Sequence, residues 1–332
     1  MSKTMSRAFG CPQKYIQGPG ELINLPVLAA QYGNKPFFVI DSGVLSLMYD
    51  KLAGAYAEAG KCFEYMSFSG ESCRENIDLI KEKAKGSGCD IIVGFGGGKC
   101  LDAAKFASSE LDWPRIIMPT SASTDAPAAG ISVLYTKDGV HIRSEKMRRP
   151  TELVLIDSEI IANAPARLFS AGIGDALATY FEAMANDTTE GMNFIGTGYR
   201  RCRAGMAIAR ECYDILMTDG ESALMAVKGH YVTEALENVI EANTAASALK
   251  IRAAPVRTAY IPASLRSKAR MRTCTVKRSH SACYASSCLK TRIKNLSTKL
   301  CAFCLRSIFP SALQISILKQ ARRTSASSPT TP

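Results

Sequence analysis

Short apolar runs alternate with longer amphipathic segments through the first half of the chain. The runs Phe37–Ile40, Phe63–Phe68, Ile91–Val93, Ile116–Pro119 and Leu153–Asp157 have the length and apolar density of strands. Between them, Leu45–Ala59, Glu75–Lys85 and Leu101–Ser109 space their apolar residues as helices do. Gly130–Tyr135, followed by Lys137-Asp138-Gly139, predicts the first half of a hairpin with an Asp-Gly turn. Strands separated by helices predict a mainly parallel sheet, with ligands at the carboxyl ends of its strands. Beyond Pro165 the strand signal fades. Arg167–Ala185, Gly205–Leu216, Glu221–Gly229 and Val232–Ala242 predict four helices. Proline suits the first turn of a helix, so residues 1–164 are expected to form an α/β domain and residues 165–244 an all-helical one.

Within the Rossmann-like half, Gly94-Phe95-Gly96-Gly97-Gly98-Lys99-Cys100-Leu101-Asp102 joins a strand to a helix. Three consecutive glycines leave backbone N–H groups bare at a helix N-terminus, where the unpaired donors and the helix dipole favour a phosphate. Glycine also admits a pyrophosphate close to the main chain. A tight turn with no ligand is the alternative. Asp41, the glycine run and Thr120 all fall at predicted strand ends.

Charge divides the chain sharply. From Lys250 to Pro332 there are 17 Lys and Arg and no Asp, Glu or Gly; the residues before it hold 24 basic and 30 acidic side chains, a net of −6. The overall +11 therefore comes from the tail. One reading is a basic arm for nucleic acid. Another is a shifted reading frame. Codon degeneracy supports the shift. Read one frame away, the codons of Ser247–Pro262 can encode a string that begins Gly-Phe-Glu and carries histidines. Those of Cys274–Cys283 can encode His-Gly-Glu-Lys-Val-Ala-Phe-Gly. Residues 245–332 are thus expected to be an out-of-frame tail with no reason to pack. The 12 cysteines are scattered through ordinary apolar sequence. With no signal peptide and no transmembrane-length run, this predicts a cytoplasmic, reduced protein that engages neither membrane nor nucleic acid.

The motifs Lys14-Tyr15-Ile16-Gln17-Gly18, Gly96-Gly97-Gly98-Lys99, Pro119-Thr120-Ser121-Ala122-Ser123-Thr124-Asp125-Ala126-Pro127, Ala164-Pro165-Ala166-Arg167, Ala171-Gly172-Ile173-Gly174-Asp175-Ala176-Leu177 and Val239-Ile240-Glu241-Ala242-Asn243-Thr244 together resemble the glycerol dehydrogenases of the metal-dependent, iron-containing-type alcohol dehydrogenase superfamily. The resemblance covers about residues 10–244. It implies NAD-linked oxidation of glycerol, or a similar small polyol, to dihydroxyacetone in a homo-oligomer. Gly96, Gly97, Gly98, Lys99, Cys100, Leu101 and Asp102 would hold the pyrophosphate. Asp41 would bind the adenosine ribose, its charge repelling the 2′-phosphate of NADP; a helix N-cap is the alternative. Thr120, Ser121, Ala122, Ser123, Ala129, Ile131 and Tyr135 would line the cofactor. Ala129 stands where serine, and Cys100 where threonine, is usual in the family.

The resemblance assigns Asp125 to substrate contact, with an Asx-turn before Pro127 as the alternative. Asp175 would be a ligand of one divalent metal, usually zinc, and so act in activating the bound alcohol; a helix N-cap is the alternative. The family completes that site with two histidines seventeen residues apart. The shifted frame would place their codons across Arg257/Thr258 and Cys274/Thr275, the same spacing. As written, the chain lacks both. His141 and His230 match neither position, and His280 falls in the tail. The runner-up readings are a non-catalytic NAD-binding remnant and, more remotely, a basic-tailed nucleic-acid binder.

Overall fold

The computed structural model describes residues 6–188 and 199–246. The tail reading and His280 lie outside the described residues. The strands are β1 (Arg7–Ala8), β2 (Lys14–Gly18), β3 (Pro36–Asp41), β4 (Glu64–Phe68), β5 (Ile91–Gly96), β6 (Arg115–Pro119), β7 (Ile131–Tyr135), β8 (His141–Lys146), β9 (Leu153–Asp157) and β10 (Arg200–Arg201). The helices are α1 (Leu25–Ala29), α2 (Ser42–Glu58), α3 (Arg74–Gly86), α4 (Gly98–Leu111), α5 (Ser158–Ala162), α6 (Ala166–Thr188), α7 (Arg203–Gly229) and α8 (Glu234–Glu241).

Six strands form one parallel sheet in the order β2-β9-β6-β5-β3-β4. Both faces are covered, which is why its strands read as continuous apolar runs. Alternation sorts their side chains. Phe38, Ile40, Ile91, Val93 and Phe95 pack with Leu25, Leu52 and Tyr56 of α1 and α2. Phe37, Val39 and Ile92 pack with Ile77, Ile80 and Phe106 of α3 and α4. On that second face Ile117, Val154 and Ile156 meet Ile173, Leu177, Leu224, Val227, Val239 and Ile240 of α6, α7 and α8. The helical segment therefore shares a core with the sheet.

The chain runs from β3 outward to β4, then returns to β5 and continues to β6 on the other side. The crevice between the carboxyl ends of β3 and β5 is thus a topological switch point, the favoured ligand position in such sheets.

The predicted strands and the β7–β8 hairpin form. Several features differ from expectation, among them the short additional elements β1, α1, α5 and β10. Strand β5 runs on through Gly96, into the glycine run. Lys14–Gly18 is an additional strand, paired along its length with β9. Gly205–Leu216 and Glu221–Gly229 are one helix, α7, rather than two. The gap expected at residues 217–220 is helical: Gly220 is buried in that helix and Asp219 accepts a hydrogen bond from Asn238 Nδ2 at 2.9 Å. Contact with α8 overrides the local preference.

Candidate functional site

The carboxyl ends of β3, β5 and β6 bring the predicted residues together. Register places Ile40 beside Phe95 and Gly96 beside Pro119, so Asp41, the glycine turn and Thr120 lie along one edge. The Thr120 N–H donates to the Gly96 carbonyl at 3.1 Å, tying two of these ends directly.

Helix α4 begins at Gly98 with Gly97 as its N-cap, and no side chain caps it. Its first internal bond is Leu101 N–H to Gly97 O at 3.0 Å, so the N–H groups of Gly98, Lys99 and Cys100 point out of the helix end without helical partners. A Cβ added at Gly98 would meet open space. Bare donors, a helix dipole and room for a ligand fit an anion such as a pyrophosphate.

Asp41 caps α2, accepting the Gly43 N–H at 2.9 Å, and also closes the crevice: its Oδ2 lies 3.6 Å from where a Gly97 Cβ would stand. The N-cap alternative is therefore realised without removing Asp41 from the switch point. Gly96 is needed for that approach. A Cβ there would sit 2.5 Å from Asp41 Cβ and 3.1 Å from Cys100 Cβ. Gly96→Ala is expected to displace Asp41 and weaken NAD binding about tenfold or more, a cost near the lower end of overpacking penalties. A calorimetric titration checks this.

The remaining glycine-run residues serve different ends. Lys99 pairs with Glu71 at 2.6 Å across the turn. The Cys100 thiol is fully buried and donates to the Val39 carbonyl at 3.2 Å. Burial, with the Asp41 charge nearby, holds that thiol well above its ordinary pKa, so it stays protonated and contributes to packing. Leu101 belongs to the core. Asp102 is buried and pairs with Lys105 at 3.3 Å. Burial pushes the Asp102 carboxyl up and the Lys105 ammonium down, each partly offset by the other's charge.

The loop after β6 is also ordered from within. Ser121 and Ser123 hydroxyls bond each other at 3.3 Å, and Ala122 is buried. Asp125 is 7% exposed. Its turn is closed by Thr124 Oγ1, which accepts the Ala126 N–H, and by the Asp125 main-chain carbonyl, which accepts from Ala128 and Ala129. The Asx-turn alternative is not the bond that forms, since residue 127 is a proline without an N–H. Ile131 and Tyr135 lie on β7, and the Tyr135 N–H donates to Ser72 O at 2.9 Å.

Asp175 lies in the interior of α6, not at its start, so the N-cap alternative fails. It follows Gly172 by three residues and shares its helix face. Gly172 presses on the β6 loop. A Cβ there would fall inside contact distance of the Ala122 carbonyl oxygen, 2.9 Å from its carbon and 2.7 Å from Asn243 Nδ2. Asn243 itself donates to Ala122 O at 3.1 Å. Ala122 of the β6 loop, Gly172 and Asn243 thus converge. The sequence motifs contain Gly172 and Asn243 but give neither a role; close approach of backbone is what each one serves.

The metal set does not fit. Among the described residues no group of three or more His, Cys, Asp or Glu is placed to hold an ion. His141 is on exposed β8, 3.3 Å from Ser144 Oγ. His230 ends α7 in the left-handed conformation and its Nδ1 lies 3.2 Å from Ala162 O. Asp175 alone cannot replace the three-ligand arrangement of a catalytic zinc site.

Comparison with known proteins decides the family. The model for iron-containing alcohol dehydrogenase matches residues 12–158. The glycerol dehydrogenase of Pseudomonas putida is 38% identical over 256 residues, covering 77% of this chain and 70% of that protein. The chain belongs to the iron-containing alcohol dehydrogenase family. A glycolaldehyde reductase from Halobacterium salinarum is likewise 38% identical, over 74% of this chain and 67% of its own. A crystal structure of a probable glycerol dehydrogenase from Sinorhizobium meliloti superposes with a TM-score of 0.68 at 40% identity, over 75% of this chain and 67% of that one. Sequence and fold are glycerol dehydrogenase-like, and the match spans about two thirds of these relatives' length. Among the described residues, no helix is long and apolar enough to cross a membrane.

Proposed function

We propose that this chain carries the NAD-binding part of a glycerol dehydrogenase whose reading frame shifts near codon 245, so that as written it binds NAD but does not oxidise glycerol. The observation that carries this reading is the β3–β5 crevice, where Asp41 faces an uncapped, unobstructed α4 N-terminus. In this reading Gly97, Gly98 and the N–H groups that follow hold the pyrophosphate, Asp41 takes the adenosine ribose, and Thr120–Ser123, Ala129, Ile131 and Tyr135 line the rest. Bound NAD supplies the hydride acceptor. Asp125, at the loop end beside the cofactor edge, accepts hydrogen bonds from the polyol hydroxyls. A divalent metal, zinc in this reading, requires the two histidines of the shifted frame beside Asp175. No step is available to the described residues that would replace them. Homo-oligomer assembly and a cytoplasmic setting belong to the same reading.

Sequencing the gene across codon 244 tests the frame. A single-base insertion or deletion there should bring both histidine strings into register. A gene that no such change restores would overturn the shift. The nucleic-acid reading finds no support in the part before the tail, whose balance is acidic.

A further inference from the structure

Lys105 lies on α4 and has no exposed surface. Its ammonium donates to the carbonyls of Ala126 at 2.7 Å, Ile131 at 3.0 Å and Ala129 at 3.4 Å, and pairs with Asp102 at 3.3 Å. A buried ammonium persists only where its hydrogens are satisfied, and three carbonyls and a carboxylate do that here. Apart from Asp102 and Ser108, the other buried side chains of this helix are Ala, Leu, Phe and Cys. An apolar residue at position 105 would fill the same space, so what the ammonium adds is its grip on the main chain of 126–131. That segment starts beside Asp125 and contains Ala129 and Ile131. The same helix begins at the phosphate-binding turn.

We propose that Lys105 is a positioning residue that fixes the 125–131 segment relative to the Gly97–Gly98 turn, and so holds the nicotinamide half of the cofactor site in place. The inference rests on the NAD reading above. The sheet order gives it direction. Asp41 ends β3, on one side of β5, and the loop carrying 120–131 leaves β6, on the other. A dinucleotide with its ribose at Asp41 and its pyrophosphate at Gly97–Gly98 extends its nicotinamide half towards β6. Lys105 therefore matters to NAD but not to ADP, which ends at the pyrophosphate.

The test is calorimetric titration of the full chain and its Lys105→Met variant with NAD and with ADP. The expected result is NAD binding weakened tenfold or more, ADP binding within twofold of the parent, and an intermediate NAD loss in Lys105→Gln. A purely structural role would weaken both ligands together. An unchanged ratio of the two affinities in a folded variant overturns the proposal. Should Lys105→Met lose its far-ultraviolet helix signal, Lys105→Gln decides on the same ratio. If that variant fails to fold as well, Lys105 belongs to the core alone and the proposal falls. A parent chain that binds neither ligand overturns the NAD reading, and this inference with it; where the parent binds both, the ratio alone decides the role of Lys105.

Discussion

Gly172→Ala is expected to destabilise the chain by about 3 kcal/mol, at the upper end of overpacking costs. The added methyl would collide with the main chain of Ala122, not with a movable side-chain end. Relief requires α6 to withdraw from the β6 loop, and Asn243 would lose its bond to the Ala122 carbonyl as it does so. The effect should reach function as well as stability. Residues 120–125 form one wall of the proposed cofactor edge, and Asp175 rides on the same helix face as Gly172. Thermal unfolding followed by circular dichroism should show a midpoint lower by roughly 6–12 °C. An unchanged midpoint would mean that α6 does not approach the loop as closely as the structure places it.

A still larger change in activity should follow from restoring the proposed frame. The chain as written, supplied with NAD, glycerol and Zn²⁺, should give no detectable NADH. A version whose gene is restored to one frame through both histidine strings should oxidise glycerol, with a rate difference of about a thousandfold or more. That figure corresponds to several kcal/mol of barrier, the scale of alcohol activation by a bound cation. The reason is the donor set. Asp175 is the single metal ligand that the resemblance assigns among the described residues, and His141 and His230 are engaged elsewhere. Asp175→Asn in the restored protein should abolish the gain. Turnover by the unrestored chain would show that other groups complete the site.

Much of this is legible in the sequence because the sheet is covered on both faces. Buried parallel strands leave uninterrupted apolar runs such as Ile116–Met118 and Leu153–Ile156, and these are hard to mistake. The proposed cofactor edge stands out for a related reason: its parts fall at the strand ends, where Asp41 and the glycine run interrupt the apolar pattern. Strand β2 is harder. Lys14 and Gln17 dilute its pattern, and what makes it a strand is pairing with β9, from a distant part of the chain. The continuity of α7 through residues 217–220 is not legible because local preference carries no information about α8 packed beside it. Lys105 is invisible for the same reason. A lysine three residues after an aspartate reads as a solvated face, and only the folded chain brings three loop carbonyls around its ammonium.

The function proposed for this chain depends on the β3–β5 crevice being a working dinucleotide site. The decisive measurement is titration of the full-length protein with NAD and with NADP. Saturable binding of one NAD per chain is expected, with NADP at least about tenfold weaker because the Asp41 carboxylate opposes a 2′-phosphate. Asp41→Asn should narrow that gap. Failure of the folded chain to bind NAD, or equal affinity for NAD and NADP, would contradict the assignment of the crevice.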